Sequence, residues 1–311
     1  MKKELIKELK DLCHEDPTIN SNDIKTLKDL SVEIIDSTKN PYRTMFEMAT
    51  QTWGEPDKWS AASPELRFEI VKKVLDRKAL PLALEAPYFA FQIKNISRAA
   101  FDQIARTRIG VVYAARGFKD NNLNYISMCI PDRLNREDKN KVIAHFNASK
   151  ALYKNLQKNN PNWTARCIIP MYVSYNFIMV MHYATLQGFC ANRMQTTEMP
   201  YTVATAWLMR EAVKKEFPLL ASYLRPACDW KKSDTTVQVN GFADELGVIH
   251  NSDYRQPGFD KSKYDVRYDE PCTDISVIEK ELHIHIPAPE EWIDYRWDNL
   301  DSADVHLFQA K

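Results

Sequence analysis

The sequence predicts an α+β fold, with a mixed sheet packed against long helices in a single main domain. Three observations carry this. Strand-like and helix-like segments are mixed without the regular β-α-β alternation of a parallel sheet. Glycine is scarce, 7 in 311 residues, and neither GxGxxG nor GxxxxGK[ST] occurs, which argues against a glycine-rich phosphate loop. Hydrophobic residues make up 44% of the chain and charged residues 27%, enough apolar side chain for a sizeable core.

Taken in order, residues 1–30 read as one or two polar helices forming an extension. MKKELIKELKDLCHED sets Leu and Ile at helical spacing among charges and lacks the apolar core of a signal peptide, so a cytosolic chain is expected. SVEIID reads as a strand. NPYRTMFEMATQTWG reads as a helix with a proline start and a glycine stop, and SPELRFEIVKKVLDRK as a second helix capped by Ser63 with Pro64 in its first turn. The alternating aromatics of YFAFQIKNI give a strand. Ser97 then caps a helix through SRAAFDQIARTR that turns Phe101, Ile104 and Ala105 inward and sets Gln103 and Arg106 on neighbouring positions. VVYAA and NLNYISMCIP are strand candidates, VVYAA being read as buried. Helices are expected over 136–159, over 163–191 with a break near Pro170, and over 201–216, closed by Phe217-Pro218. The tail from about 231 is hard to read.

Lys+Arg and Asp+Glu both number 42, so the net field gives no reason to expect duplex nucleic acid or an anionic membrane as a partner; any anion site must be local. Residues 171–191 carry no formal charge, but Ser174, Asn176, His182, Thr185, Gln187 and Gly188 interrupt them, favouring a buried helix over a membrane span. Six widely spaced cysteines without a CxxC pair read as buried free thiols. His283 and His285 in ELHIHIP would share one face of a strand, a pattern compatible with zinc but without a third ligand at convincing spacing. Trp292, Tyr295 and Trp297 read as a packed tail rather than a base-stacking platform.

Four stretches, in order and without large gaps, carry a family resemblance: SVEIIDSTKNPYRTMFEMATQTW, LEAPYFAFQIKNISRAAFDQIARTR, NYISMCIP and ARCIIPMYVSYNFIMVMHYATLQGFCANR. Together they resemble the flavin-dependent thymidylate synthases over residues 31–230, leaving 1–30 as a helical N-terminal extension and 231–311 as a C-terminal extension of unknown role. The resemblance implies a homotetramer with FAD between subunits, NADPH and methylenetetrahydrofolate as co-substrates, and one-carbon transfer to C5 of a pyrimidine deoxynucleotide, dUMP or a related nucleotide. By position in the family's RHR loop, Arg106, Thr107 and Arg108 would face the cofactor, joined by Arg193. Gln103, Arg106 and Arg116 would face the nucleotide. An arginine suits this role because it is permanently charged and forks two hydrogen bonds onto a phosphate.

The departures from the family pattern are specific. Thr107 stands for the histidine of RHR, Ala114 and Arg116 for a glutamate and a serine that hold the pyrimidine, and Ala86 for the histidine of LEH. Ala184 and His182 stand for the arginine and asparagine of NARSL, and Val203 falls on or near the arginine of EIR. The catalytic candidates are therefore Arg116, a cation that either meets a phosphate from a new direction or blocks the pocket, and His182, either a catalytic base or a hydrogen-bonded core histidine. Two functional expectations stand side by side: an enzyme with a rebuilt nucleotide pocket, and an inactive paralogue serving as an assembly, regulatory or nucleotide-binding subunit.

Overall fold

A computed structural model describes residues 24–51, 58–118, 123, 126–130, 134–196, 198–226 and 273–310. Along the chain come β1 (Ile24–Lys25), β2 (Ser31–Ser37), α1 (Pro41–Thr50), α2 (Lys58–Ala61), α3 (Pro64–Leu75), β3 (Tyr88–Ser97), α4 (Arg98–Ile104), β4 (Val111–Ala115) and β5 (Met128–Cys129). They are followed by α5 (Arg136–Leu156), α6 (Asn162–Ala165), β6 (Ser174–His182), α7 (Tyr183–Arg193), α8 (Pro200–Glu216), α9 (Pro218–Ser222), α10 (Ile275–Leu282) and α11 (Ser302–Gln309). The fold is α+β, and both kinds of strand pairing occur. β2-β3-β6-β4 form an antiparallel sheet, while β1 and β5 pair in parallel beside it.

Period-2 alternation decides which sheet face is buried. Phe89, Phe91 and Ile93 of β3 and Phe177, Met179 and Met181 of β6 turn to one side, onto a core shared with Tyr42, Phe46 and Trp207 from the helices. The caps are where the sequence puts them: Ser63 accepts the Leu66 N–H at 3.3 Å and Ser97 the Ala100 N–H at 3.2 Å.

Five expectations change. The helix expected over 163–191 is instead the short α6, the strand β6 and the helix α7. In SYNFIMVMH, Tyr175, Phe177, Met179 and Met181 are buried while Asn176 and His182 are exposed, an alternation that a two-sided sheet neighbourhood rewards and a helix would scatter. His182 is thus the cap position between β6 and α7 and not a residue inside an apolar helix.

VVYAA is an edge strand, with Val112 68% exposed, rather than a buried one. Among the described residues of NLNYISMCIP only Met128–Cys129 pairs as a strand; Asn122, Asn124, Tyr125 and Pro131 lie outside them. Residues 24–30 are not helical extension: Ile24–Lys25 is a strand, and Thr26 with Asp29 closes a single 3-10 turn that buries Leu27 and Leu30. Residues 1–23 lie outside the description.

ELHIHIP is not a strand either. Asp274 caps α10, whose Ile275 and Ile278 bury at helical spacing, and the helix ends at His283 in the left-handed conformation with φ 54°. His283 and His285 therefore share no strand face. Trp292, Tyr295 and Trp297 do pack against the core, as a tail. Among the described residues, no helix is long and apolar enough to cross a membrane, and no three His, Cys, Asp or Glu side chains cluster as a metal site.

Candidate functional site

The segment from Gln103 to Gly110 leaves the end of α4 and turns into β4, and three contacts hold its shape. The Tyr113 hydroxyl, carried on β4, lies 3.0 Å from the Ile104 carbonyl and 2.9 Å from the Thr107 carbonyl, sharing one proton between them. Burial pushes this phenol up to about 12, against the pull of nearby Arg193, so it stays a donor. At the other end, the Gly110 carbonyl accepts the His182 N–H at 3.3 Å. Gly110 has φ +69°, and a Cβ placed on it would meet Thr185 Oγ1 at 2.2 Å; only glycine permits this approach.

Between this loop and α7 lies an open cleft of about 390 Å³. Thr107, Ile109 and Gly110 form one wall, and His182, Thr185 and Asn192 the other. Gly188 opens onto free space there, and the small Ala184 also lines the cleft. Arg106 and Arg108 are exposed on the loop beside it.

Behind the loop, Arg193 Nη1 meets Glu198 Oε1 at 2.7 Å. Gln103 accepts the Thr202 hydroxyl at 2.7 Å. Burial raises the Glu198 carboxyl, with Arg193 and then Arg106 opposing the rise. Arg193 Nε and Glu198 Oε2 are buried without a hydrogen-bond partner. Arg193 and Arg106 thus act on one carboxylate and Gln103 is taken up by Thr202, while Thr107 and His182 both line the cleft. Arg193 already holds an internal anion and is not a free cation.

Arg116 is elsewhere. Its N–H bonds the Asn176 carbonyl at 3.2 Å, at the opposite end of β6 from His182. Asn176 and His182 are six positions apart on the strand, about 20 Å at the usual rise. Near Arg116, Arg98 pairs with Asp102 at 2.9 Å and lies over Phe101 and Tyr175. A single subunit does not bring the two catalytic candidates together.

Over residues 33–219 the chain matches the family profile described as thymidylate synthase complementing protein (Thy1). The chain belongs to this family. Among curated Thy1 relatives, the flavin-dependent thymidylate synthase of Sulfurisphaera tokodaii is 30% identical over 147 residues, 47% of this chain and 57% of that protein. That of Saccharolobus solfataricus is 31% identical over 147 residues, 47% of this chain and 56% of that protein. The matched stretch therefore spans little more than half the length of these relatives. Among solved structures, Thymidylate Synthase X from Helicobacter pylori, with FAD and dUMP, aligns with a TM-score of 0.50 at 15% identity, over 63% of this chain and 99% of that one. A second structure of that enzyme, also complexed with FAD and dUMP, gives a TM-score of 0.52 at 16% identity. At these identities the likeness is one of fold.

Within the Thy1 frame three residues escaped sequence reasoning. Gly110 carried a signal, since glycine is rare here and this one stands two residues after the arginine pair. Glu198 is the first acidic residue after Asp138 and so stood out, but its pairing with Arg193 crosses a turn. Tyr113 looked like strand filling. Tyr113→Phe is expected to cost about 1 kcal/mol, the usual net value of one such hydrogen bond. The check is a lower urea midpoint at unchanged m-value; an unchanged midpoint would show that the hydroxyl does not fix the loop.

Proposed function

We propose that this chain is a flavin-dependent thymidylate synthase-type methyltransferase acting on a pyrimidine deoxynucleotide, with FAD as cofactor and NADPH and methylenetetrahydrofolate as co-substrates. The observation that carries the reading is the rigid 105–110 loop, which sets two exposed guanidiniums beside an open cleft. The donor set fits the cofactor. Arg106 and Arg108 suit the two phosphates of a dinucleotide, Thr107, His182 and Asn192 offer polar groups to a ring edge, and Gly110, Gly188 and Ala184 leave space for a planar group. When bound, the flavin supplies the hydride chemistry. The protein's own part is to hold the anionic groups, shape the cleft and keep the Tyr113 proton on the loop carbonyls.

The cleft, near the low end of the roughly 300–1,000 Å³ typical of ligand pockets, accommodates part of such a cofactor. A second copy would complete it. Val112 and Ala114 are exposed on the outer sheet face and Ile178 and Val180 only half-buried, which supports a homo-oligomer closing over this side. It would also give Arg116 a site to serve in a neighbouring subunit.

The nucleotide is proposed to be a relative of dUMP rather than dUMP in the family's own pose. Ala114 and Ala184 stand where the pattern has a glutamate and an arginine, and a second arginine falls on or near the fully buried Val203. A charged hydrogen bond contributes about 1.5–3 kcal/mol, and three lost together approach the roughly 8 kcal/mol of a micromolar affinity. The same alanines, with Ala86, and the Arg193–Glu198 pair favour a second reading, a non-catalytic subunit.

Purified protein offered FAD is expected to gain the flavin's visible absorbance, and one of dUMP, dCMP or UMP to perturb it. A colourless protein that ignores added FAD sinks the proposal. Flavin uptake without turnover of any pyrimidine nucleotide, together with a co-purifying partner, selects the second reading.

A further inference from the structure

The C-terminal segment makes a second cleft where residues 285–295 meet the end of the family match, and it shares no lining residue with the cleft beside the 105–110 loop. It lies between the second half of α8, α9 and the chain after α10, with a volume of about 280 Å³. Six side chains define its chemistry: Arg210, Lys214, Arg225, His285, Trp292 and Tyr295. Three of them are permanent or near-permanent cations, and they come from α8 and the chain after α9, whereas the aromatic wall comes from the tail.

Carboxylates lie near, but they do not pair off all the cations one to one. Glu211 is shared, 2.7 Å from Arg210 and 3.8 Å from Lys214. Glu291, also on the lining, takes the Ala288 N–H and lies 3.1 Å from His285 Nε2. Asp294 faces Lys72 at 3.3 Å and contributes to the field at Arg225. Arg225 lies over the Trp292 ring at 4.3 Å from its centroid, and has no carboxylate of its own among the described ion pairs. Burial lowers both guanidiniums from their usual range, and Arg210 lowers Arg225 further by like-charge repulsion. Arg210 Nε is buried without a partner. Two guanidiniums lining one recess, Arg210 buried and Arg225 half-buried, are stabilised by an incoming anion.

We propose that this cleft binds the phosphate of a nucleotide, with Arg225, Arg210 and Lys214 on the phosphate oxygens and the Trp292 and Tyr295 wall beside the sugar or base. Guanidiniums fork onto phosphate oxygens, and an aromatic wall tolerates any base face. Because the wall belongs to the tail and the cations to α8 and the chain after α9, a bound phosphate ties the tail to the Thy1 core. The site is separate from the 105–110 loop and does not depend on the reading of that loop.

The test is calorimetric titration of the full chain with inorganic phosphate, dUMP and ATP. Wild type, Arg225→Gln, Lys214→Gln and Arg108→Gln are compared, the last altering the other cation cluster. A nucleotide is expected to bind at least tenfold tighter than inorganic phosphate, with affinity falling at least tenfold in Arg225→Gln and at least threefold in Lys214→Gln while Arg108→Gln retains that component. Lys214 is half-exposed, so its variant keeps the test open where Arg225→Gln does not fold. No binding of any probe at millimolar concentration overturns the proposal, as does binding unchanged in Lys214→Gln and in any Arg225→Gln that folds, or lost only in Arg108→Gln. Equal binding of inorganic phosphate and nucleotide overturns the nucleotide assignment.

Discussion

Gly110→Ala is expected to destabilise the protein by about 2–4 kcal/mol and to abolish flavin uptake. Two costs add. A non-glycine residue held in the left-handed region costs about 1–2 kcal/mol, and Gly110 sits at φ +69°. The new Cβ would also stand 2.2 Å from Thr185 Oγ1, 3.4 Å from Thr185 Cβ and 3.5 Å from His182 Cδ2. Thr185 can relieve the first contact only by rotating, which forfeits its approach to the Ile109 carbonyl and adds about 1–2 kcal/mol in rotamer cost and lost hydrogen bonding. Thr185→Ala in the same chain removes the clash but not the backbone strain, so the double variant should recover roughly half the loss. Urea denaturation reads both. A single variant within about 0.5 kcal/mol of wild type would mean that the loop does not press on α7 as described.

What the sequence disclosed depended on how local the controlling interaction is. Ser63 and Ser97 cap the helices they were expected to cap because a cap needs only the next three residues. Gln103 lies on α4, but the helix ends at Ile104, so Arg106 falls on the following turn and not on the neighbouring helix position that the spacing predicts. The strand β6 was not legible, because Tyr175, Phe177, Met179 and Met181 alternate only weakly in hydrophobicity against Ile178 and Val180. What forces the extended form is pairing with β3 on one side and β4 on the other. Glu198 escaped for the same reason: its partner Arg193 is five residues back, across a turn that only the packing of α7 on α8 defines. The split between His182 and Arg116 follows from β6 as a strand, since a helix would have set the two in a different relation entirely.

The tail was the least legible part, and it makes some of the most buried contacts in the molecule. Phe308 of α11 stacks on Tyr42 at 4.5 Å between centroids. The carbonyls of the last residues are taken up by the core: Arg67 Nη1 donates to Phe308 O at 2.6 Å and Trp59 Nε1 to Ala310 O at 2.8 Å. Sequence reading fails here because α11 is only eight residues long and weakly amphipathic, too short to hold alone. Its helical form is a consequence of docking on α1 and α3, more than two hundred residues earlier.

That docking should depend on pH through Asp304, and the effect should be large. Asp304 is fully buried; the Tyr42 hydroxyl donates to one carboxylate oxygen and the Leu219 N–H to the other at 2.8 Å. Burial outweighs both hydrogen bonds and raises the carboxyl from 3.8 to about 7. The folded state therefore prefers the protonated acid. Its stabilising contribution is complete below the unfolded value near 4 and is lost as pH rises through about 7. Three pH units at about 1.4 kcal/mol each make the swing about 4 kcal/mol. Asp304→Asn keeps an oxygen to accept from Tyr42 or Leu219 but has no charge to bury, so its stability should vary less with pH. Relative to wild type, the variant should gain several kcal/mol between pH 4.5 and pH 8, read as the difference of urea midpoints at the two pH values, which cancels the titration of all other groups. Amide protection factors over Ser302–Gln309, corrected for the intrinsic rise of exchange with pH, should fall in wild type across the same interval and stay level in the variant. Parallel pH profiles for the two proteins would show that Asp304 is ionised and satisfied in the fold, with the Tyr42 and Leu219 hydrogen bonds outweighing its burial.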